Sequence, residues 1–90
     1  MISYVTKRNG MRVLCDRQRI SIAVGKAATA SKEAVDEIQI AQEVLLKASS
    51  IADECVSVET LQDIVENVLM ERGHYKSAKA YIQCIRYNLL

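Results

Sequence analysis

Two short runs of mixed apolar and polar residues open the chain, and apolar positions recur at helical spacing after them. Residues 3–7 and 11–15 flank Asn9-Gly10, a dipeptide favoured in two-residue type I′ hairpin loops because both central positions take positive φ. A two-residue loop pairs Arg8 with Met11, Lys7 with Arg12, Thr6 with Val13 and Val5 with Leu14. Lys7 and Arg12 then become cross-strand neighbours on one face. Like charges so placed repel each other. An anion between them reverses the sign, and a following helix adds its N-terminal amides and Arg19 one turn in. The same charges also fit a simpler role, keeping an exposed sheet edge soluble.

Asp16 can cap a helix whose apolar positions Ile20, Ala23, Val24 and Ala27 follow the i, i+3, i+4, i+7 pattern, ending near Ala28 or Thr29. Gly25 weakens it slightly. A second helix is expected after Ser31 as cap, with Glu33, Asp36 and Glu37 suiting its dipole. It would bury Ala34, Ile38, Ala41, Leu45 and Ala48 and stop near Ser49 or Ser50. The β-branched run 55–58 suits a third strand, and Ser57 can cap a helix carrying Val58, Leu61, Val65, Val68 and Leu69. Gly73 ends that helix as the residue beyond its cap. A last helix runs from about Tyr75 to the end of the chain, with Ala78, Ile82, Ile85 and Leu89 on one side and Tyr81 beside them. The order predicts an α+β domain spanning residues 1–90: a four-helix bundle capped by a small three-stranded sheet with an N-terminal hairpin.

Composition refines this picture. Ninety residues with no Pro, Trp or Phe make one domain with a thin aliphatic core, in which four Tyr are the aromatics. No stretch approaches the roughly 20 apolar residues of a membrane span, and Lys7, Arg8 and Asn9 stand where a signal peptide would be apolar. A cytoplasmic protein is expected. Cys15, Cys55 and Cys84 are widely spaced and fit neither a disulfide framework nor a zinc site, so buried reduced thiols are expected.

The net charge of +1 hides a segregation. Residues 1–26 hold six basic side chains against Asp16 alone, residues 27–71 hold two against ten acids, and residues 72–90 hold four against none. If the two basic ends meet, they form a compact positive site suited to a small polyanion. The acids of residues 33–71 read as a solvated helix face. His74, without a neighbouring Cys or second His, reads as an exposed loop residue, and Tyr81 and Tyr87 read as packing residues.

Four segments, "VTKRNG", Asp16 followed by Arg19-Ile20, "VSVETLQDIVENVL" and "GHYKSAKAYI", together resemble the ATP-cone, a regulatory nucleotide-binding domain of many ribonucleotide reductases. The overall character is most similar to cones of the anaerobic, glycyl-radical class. The resemblance implies allosteric binding of ATP or dATP, with magnesium, and a switch of overall activity through the reductase's catalytic domain or subunits. It places Lys7 and Arg8 at the phosphates, together with Arg19, which stands where Lys is usual. Asp16 belongs to the same motif. Ile20 falls near the base, Leu61 and Gln62 fall in the helix segment near the adenine, and Lys79 brings charge from the last helix. Leu14, Cys15 and Ile85 depart from the family's usual residues. No catalysis is expected from the domain itself.

Two other readings compete. The cone also occurs in a repressor of the reductase genes behind a zinc ribbon, whose cysteines this sequence does not supply. A helical protein-interaction or nucleic-acid-binding domain would use the hairpin against phosphates, but the near-neutral charge, an acidic third helix and the lack of an aromatic platform oppose it.

Overall fold

The computed structural model describes residues 2–86, except for the side chains of Cys84 and Arg86. Tyr87 and Leu89, expected on the last helix, lie outside the described residues.

Strands β1 (Tyr4–Thr6) and β2 (Arg12–Leu14) form the expected antiparallel hairpin, but its register is Tyr4 to Leu14, Val5 to Val13 and Thr6 to Arg12. The loop has three residues, Arg8-Asn9-Gly10. The Lys7 amide donates to the Met11 carbonyl at 2.7 Å and the Gly10 amide to the Lys7 carbonyl at 2.9 Å. Gly10 takes φ 87°, which is a type I turn followed by one left-handed residue. A type I′ turn would also put Asn9 at positive φ. Instead the Asn9 side chain accepts the Met11 amide at 3.0 Å and leaves the left-handed position to glycine. The expected pairing of Lys7 with Arg12 is therefore corrected: Lys7 faces Met11, and a one-residue slip sends Lys7 and Arg12 to opposite faces. Arg12 lies over the Tyr4 ring, 5.4 Å from its centre.

Helix α1 (Arg17–Ser31) starts as expected, with the Asp16 carboxylate accepting the Gln18 amide at 2.9 Å. It runs past Thr29. Ser31 does not cap the next helix but closes this one, its hydroxyl donating to the Ala27 carbonyl at 2.9 Å. Lys32 then takes a left-handed φ of 56°, with its amide on Thr29 and that of Glu33 on Ala28, the Schellman geometry that usually falls to glycine. Helix α2 (Glu37–Ile51) therefore begins later than expected, with Asp36 as its cap.

The delay changes which residues of α2 are buried. Its core face is Ile40, Ala41, Val44 and Ala48, while Ile38 is 61% exposed and Ala34 stays in the connecting segment. At about 100° per residue, Ile38 sits roughly a quarter-turn from the centre of that face.

Strand β3 (Cys55–Ser57) pairs in parallel with β1, Val56 opposite Val5, giving a mixed sheet of order β2-β1-β3. Ser57 ends the strand and caps α3 (Val58–Glu71) through the Thr60 amide at 3.2 Å. As the sequence indicated, Gly73 at φ 79° ends α3, with the His74 amide on Leu69 and the Gly73 amide on Met70. Helix α4 (Tyr75–Tyr81) is shorter than expected and passes into a π-helical turn, Ile82–Arg86.

Helix α1 packs against α2 and α4, and α3 against α2 and α4, which closes a four-helix bundle. Val24, Val44, Val68 and Leu69 are fully buried in its middle. The sheet caps the bundle by sending Val5 and Val56 into the same core. The fold is thus the expected α+β arrangement. Cys15 and Cys55 are free thiols, half-buried rather than buried. His74 is also part-buried, with its ring 3.9 Å from the Glu33 carboxylate. Among the described residues no helix is long and apolar enough to cross a membrane.

Candidate functional site

The inner face of the hairpin, the first two turns of α1, the first half of α3 and the end of α4 enclose a cleft of about 540 Å³, within the range of small-molecule sites. The shifted register matters here. Lys7 lies on the same strand face as Val5 and Val13, so all three line the cleft, and Arg12 does not. Ile20 and Ala23, three residues apart on α1, supply one wall. Leu61 and Val65, four apart on α3, supply another wall, and Tyr81 of α4 also lines the cleft.

The cleft is amphiphilic. Ile20, Leu61, Gln62, Val65 and Tyr81 are buried, whereas Lys7, Arg8, Asp16 and Arg19 are exposed at the rim. Arg8 reaches α3, its Nε 3.6 Å from the Glu59 carboxylate and its Nη2 3.5 Å from Gln62 Oε1. Lys7 and Arg19 form no ion pair among the described residues. The Asp16 side chain holds the Gln18 amide and its carbonyl accepts from Arg19, so these two helix-start amides are already satisfied. Burial, and then the adjacent Asp16 charge, push the Cys15 thiol up, keeping it neutral in the cleft wall.

Seven of the eight residues singled out in the sequence, Lys7, Arg8, Asp16, Arg19, Ile20, Leu61 and Gln62, line this one cleft. Lys79 does not. It is exposed and outside the lining, because two residues along a helix span about 200° and Tyr81 already faces inward. Sequence reasoning passed over Asn9, Ala23, Val65 and Tyr81 as site residues. Ala23 and Val65 follow Ile20 and Leu61 by one turn, a spacing that could have shown them. A second, more open hollow of about 870 Å³ lies between the end of α1 and the segment leading into α2. Its charges, Lys26 and Lys32 against Glu33 and Glu37, offset each other, and the basic side chains converge at the hairpin instead.

A basic rim above an apolar floor in a small α+β bundle defines a binding module for an amphiphilic anion. The model of the ATP cone domain family matches residues 3–88, nearly the whole chain, and the chain belongs to that family. ATP-cone domains are generally allosteric regulatory domains that bind ATP or dATP, often in ribonucleotide reductases. No curated protein matched the sequence.

Proposed function

We propose that the domain binds ATP or dATP in the hairpin cleft and acts as the overall-activity regulator of a cytoplasmic ribonucleotide reductase, passing its state to the catalytic domain or subunits. The observation that carries this reading is the gathering of Lys7, Arg8 and Arg19 at the rim of a cleft floored by Ile20 and Leu61. A nucleotide has the matching polarity, with phosphates at one end and a flat, largely apolar base at the other.

In this reading Lys7, Arg8 and Arg19 meet the phosphates through charge-assisted hydrogen bonds. Ile20 and Leu61 sandwich the base, and the Gln62 amide reads its edge. Asp16 holds the start of α1, and with it Arg19, in place. It is the one carboxylate among the lining residues, and among the described residues no cluster of three His, Cys, Asp or Glu side chains is placed to hold a metal. Magnesium would therefore enter with the nucleotide, held by phosphate oxygens and water.

Calorimetric titration of the chain with ATP, dATP and GTP in magnesium tests the reading, with thermal unfolding as a second readout. Ligand at about a hundred times its dissociation constant should add ~2.7 kcal/mol, raising the melting temperature by on the order of ten degrees. An unchanged melting curve with no heat of binding for either adenine nucleotide overturns it.

A further inference from the structure

Among the three cations at the cleft rim, Arg8 is the one that already has an anionic partner among the described residues, Glu59. Glu59 and Gln62 stand three residues apart on the first turns of α3, so they share a helix face. Arg8 belongs to the three-residue hairpin loop. The guanidinium thus ties the tip of the sheet to the start of a helix more than fifty residues away in the chain.

Both contacts are long. At 3.6 and 3.5 Å they fall well short of the roughly 2.7 to 2.9 Å of a strong charge-assisted bond. The side chains are 36% and 46% exposed, so water screens the pair and little is lost when it opens. Glu59 itself does not line the cleft. A ligand therefore meets the guanidinium first and the carboxylate only behind it.

We propose that Glu59 is a built-in competitor for Arg8. It draws the guanidinium onto α3 and yields it to an incoming phosphate chain, and so sets how steeply affinity rises with the number of phosphates. This rests on the reading of the cleft as a nucleotide site. Two effects act in the same direction: Arg8 must leave its partner to reach the ligand, and the carboxylate left behind repels each added phosphate charge. Removing the charge of Glu59 should strengthen binding in the order AMP, ADP, ATP.

The test is calorimetry of AMP, ADP and ATP on wild type and Glu59→Gln, at low and at high salt. A pair of this exposure is worth up to about 1 kcal/mol, so ATP affinity should rise roughly two- to fivefold at low salt. The gain should be smaller for AMP, and it should shrink at high salt as screening shortens the reach of the charge. Glu59 also complements the dipole at the start of α3, so a merely structural role predicts an equal change for all three nucleotides. An equal change, no change, or weaker ATP binding in Glu59→Gln overturns the competitor while leaving the nucleotide site intact. A wild-type chain that binds none of the three overturns the nucleotide reading, and the competitor with it.

Discussion

Glu33 caps a helix that starts more than forty residues beyond it: its Oε1 accepts the amide of Ser77 at 3.0 Å, in the first turn of α4. The Ser77 hydroxyl, fully buried, lies 3.1 Å from that of Ser31 at the end of α1. The junction of α1 and α2 is thereby fastened to α4, the helix that delivers Tyr81 to the cleft. His74, at the capping position of α4, makes no side-chain cap bond of its own, so Glu33 does that work. Glu33→Ala should cost ~1 to 2 kcal/mol, read as a lower urea midpoint with an unchanged slope. A variant as stable as wild type would show the contact to be dispensable.

The same contact sets a pH dependence. The bond from Ser77 is the chief cause holding the Glu33 carboxyl below its usual range, and the bond from Arg72 does the same for Glu43. Both groups have folded-state values below their unfolded ones, so in acid the unfolded chain binds the extra protons. Their contribution is complete above the ordinary carboxylate range and is lost as pH falls through the folded-state values. Stability measured from neutral pH downward should decline through that range. Glu33→Gln should flatten the decline, and an identical acid limb in the variant would argue against it.

Two backbone positions, one inside α1 and one just past its end, can be improved in opposite ways. Gly25 lies inside the helix, and a Cβ there would meet only the Glu37 side chain at ordinary contact distance, 3.8 Å. Gly25→Ala should therefore stabilise by up to ~1 kcal/mol through helix propensity. Lys32 holds a left-handed conformation, φ 56°, that costs an L-residue about 1 to 2 kcal/mol and glycine almost nothing. Lys32→Gly should recover ~0.5 to 1 kcal/mol, since glycine also loses more freedom on folding. Each gain should appear as a melting temperature several degrees higher. A fall in either would mean that α1 ends or packs differently.

The hairpin register gives a contrast between two basic residues. Lys7→Ala should weaken ATP binding roughly ten- to hundredfold, the loss of one charged hydrogen bond of ~1.5 to 3 kcal/mol. Arg12, on the other face over Tyr4, should leave affinity within about twofold when replaced by Ala, because a remote exposed charge is screened. It should instead cost ~0.5 kcal/mol of stability from the lost cation–π contact. Equal losses of affinity in the two variants would restore the pairing of Lys7 with Arg12.

What the sequence conveyed well was local chemistry with a single outcome. Ser57 beside a helical stripe, Asp16 before one, and Gly73 after one each fixed a boundary, because a cap or a left-handed residue has few alternatives. Choices between near-equal local states were not legible. Asn9-Gly10 suits a two-residue or a three-residue loop, and the difference moved every partner in the hairpin by one. Ser31 can cap a helix or bond back into the one before it, and Lys32 gives no sign that it will turn left-handed. Seven of the eight expected residues line one cleft despite the shifted register, since the resemblance picked Lys7 and Arg8 by motif rather than by pairing. Lys79 falls outside the cleft lining because a motif gives position along a helix, whereas the face is set by what packs, here Ala78 and Tyr81.

The domain should bind ATP and return it intact. Hydrolysis needs a positioned water, a group to orient or deprotonate it, and stabilisation of charge in line with the leaving phosphate. Lys7, Arg8 and Arg19 can hold phosphate charge, but cations alone neither position a water nor take its proton, and binding spent equally on ground and transition states lowers no barrier. The one lining carboxylate, Asp16, is engaged with the Gln18 amide at 2.9 Å, and freeing it to act as a base would uncap α1 at a cost of about 1 kcal/mol. Glu59 lies outside the lining, facing Arg8. A sensor benefits, because a nucleotide that persists reports its concentration rather than its own turnover. Phosphate release from ATP and magnesium should stay at the no-protein background over hours. A rate proportional to protein and abolished by Asp16→Asn would instead show a catalytic site at the start of α1.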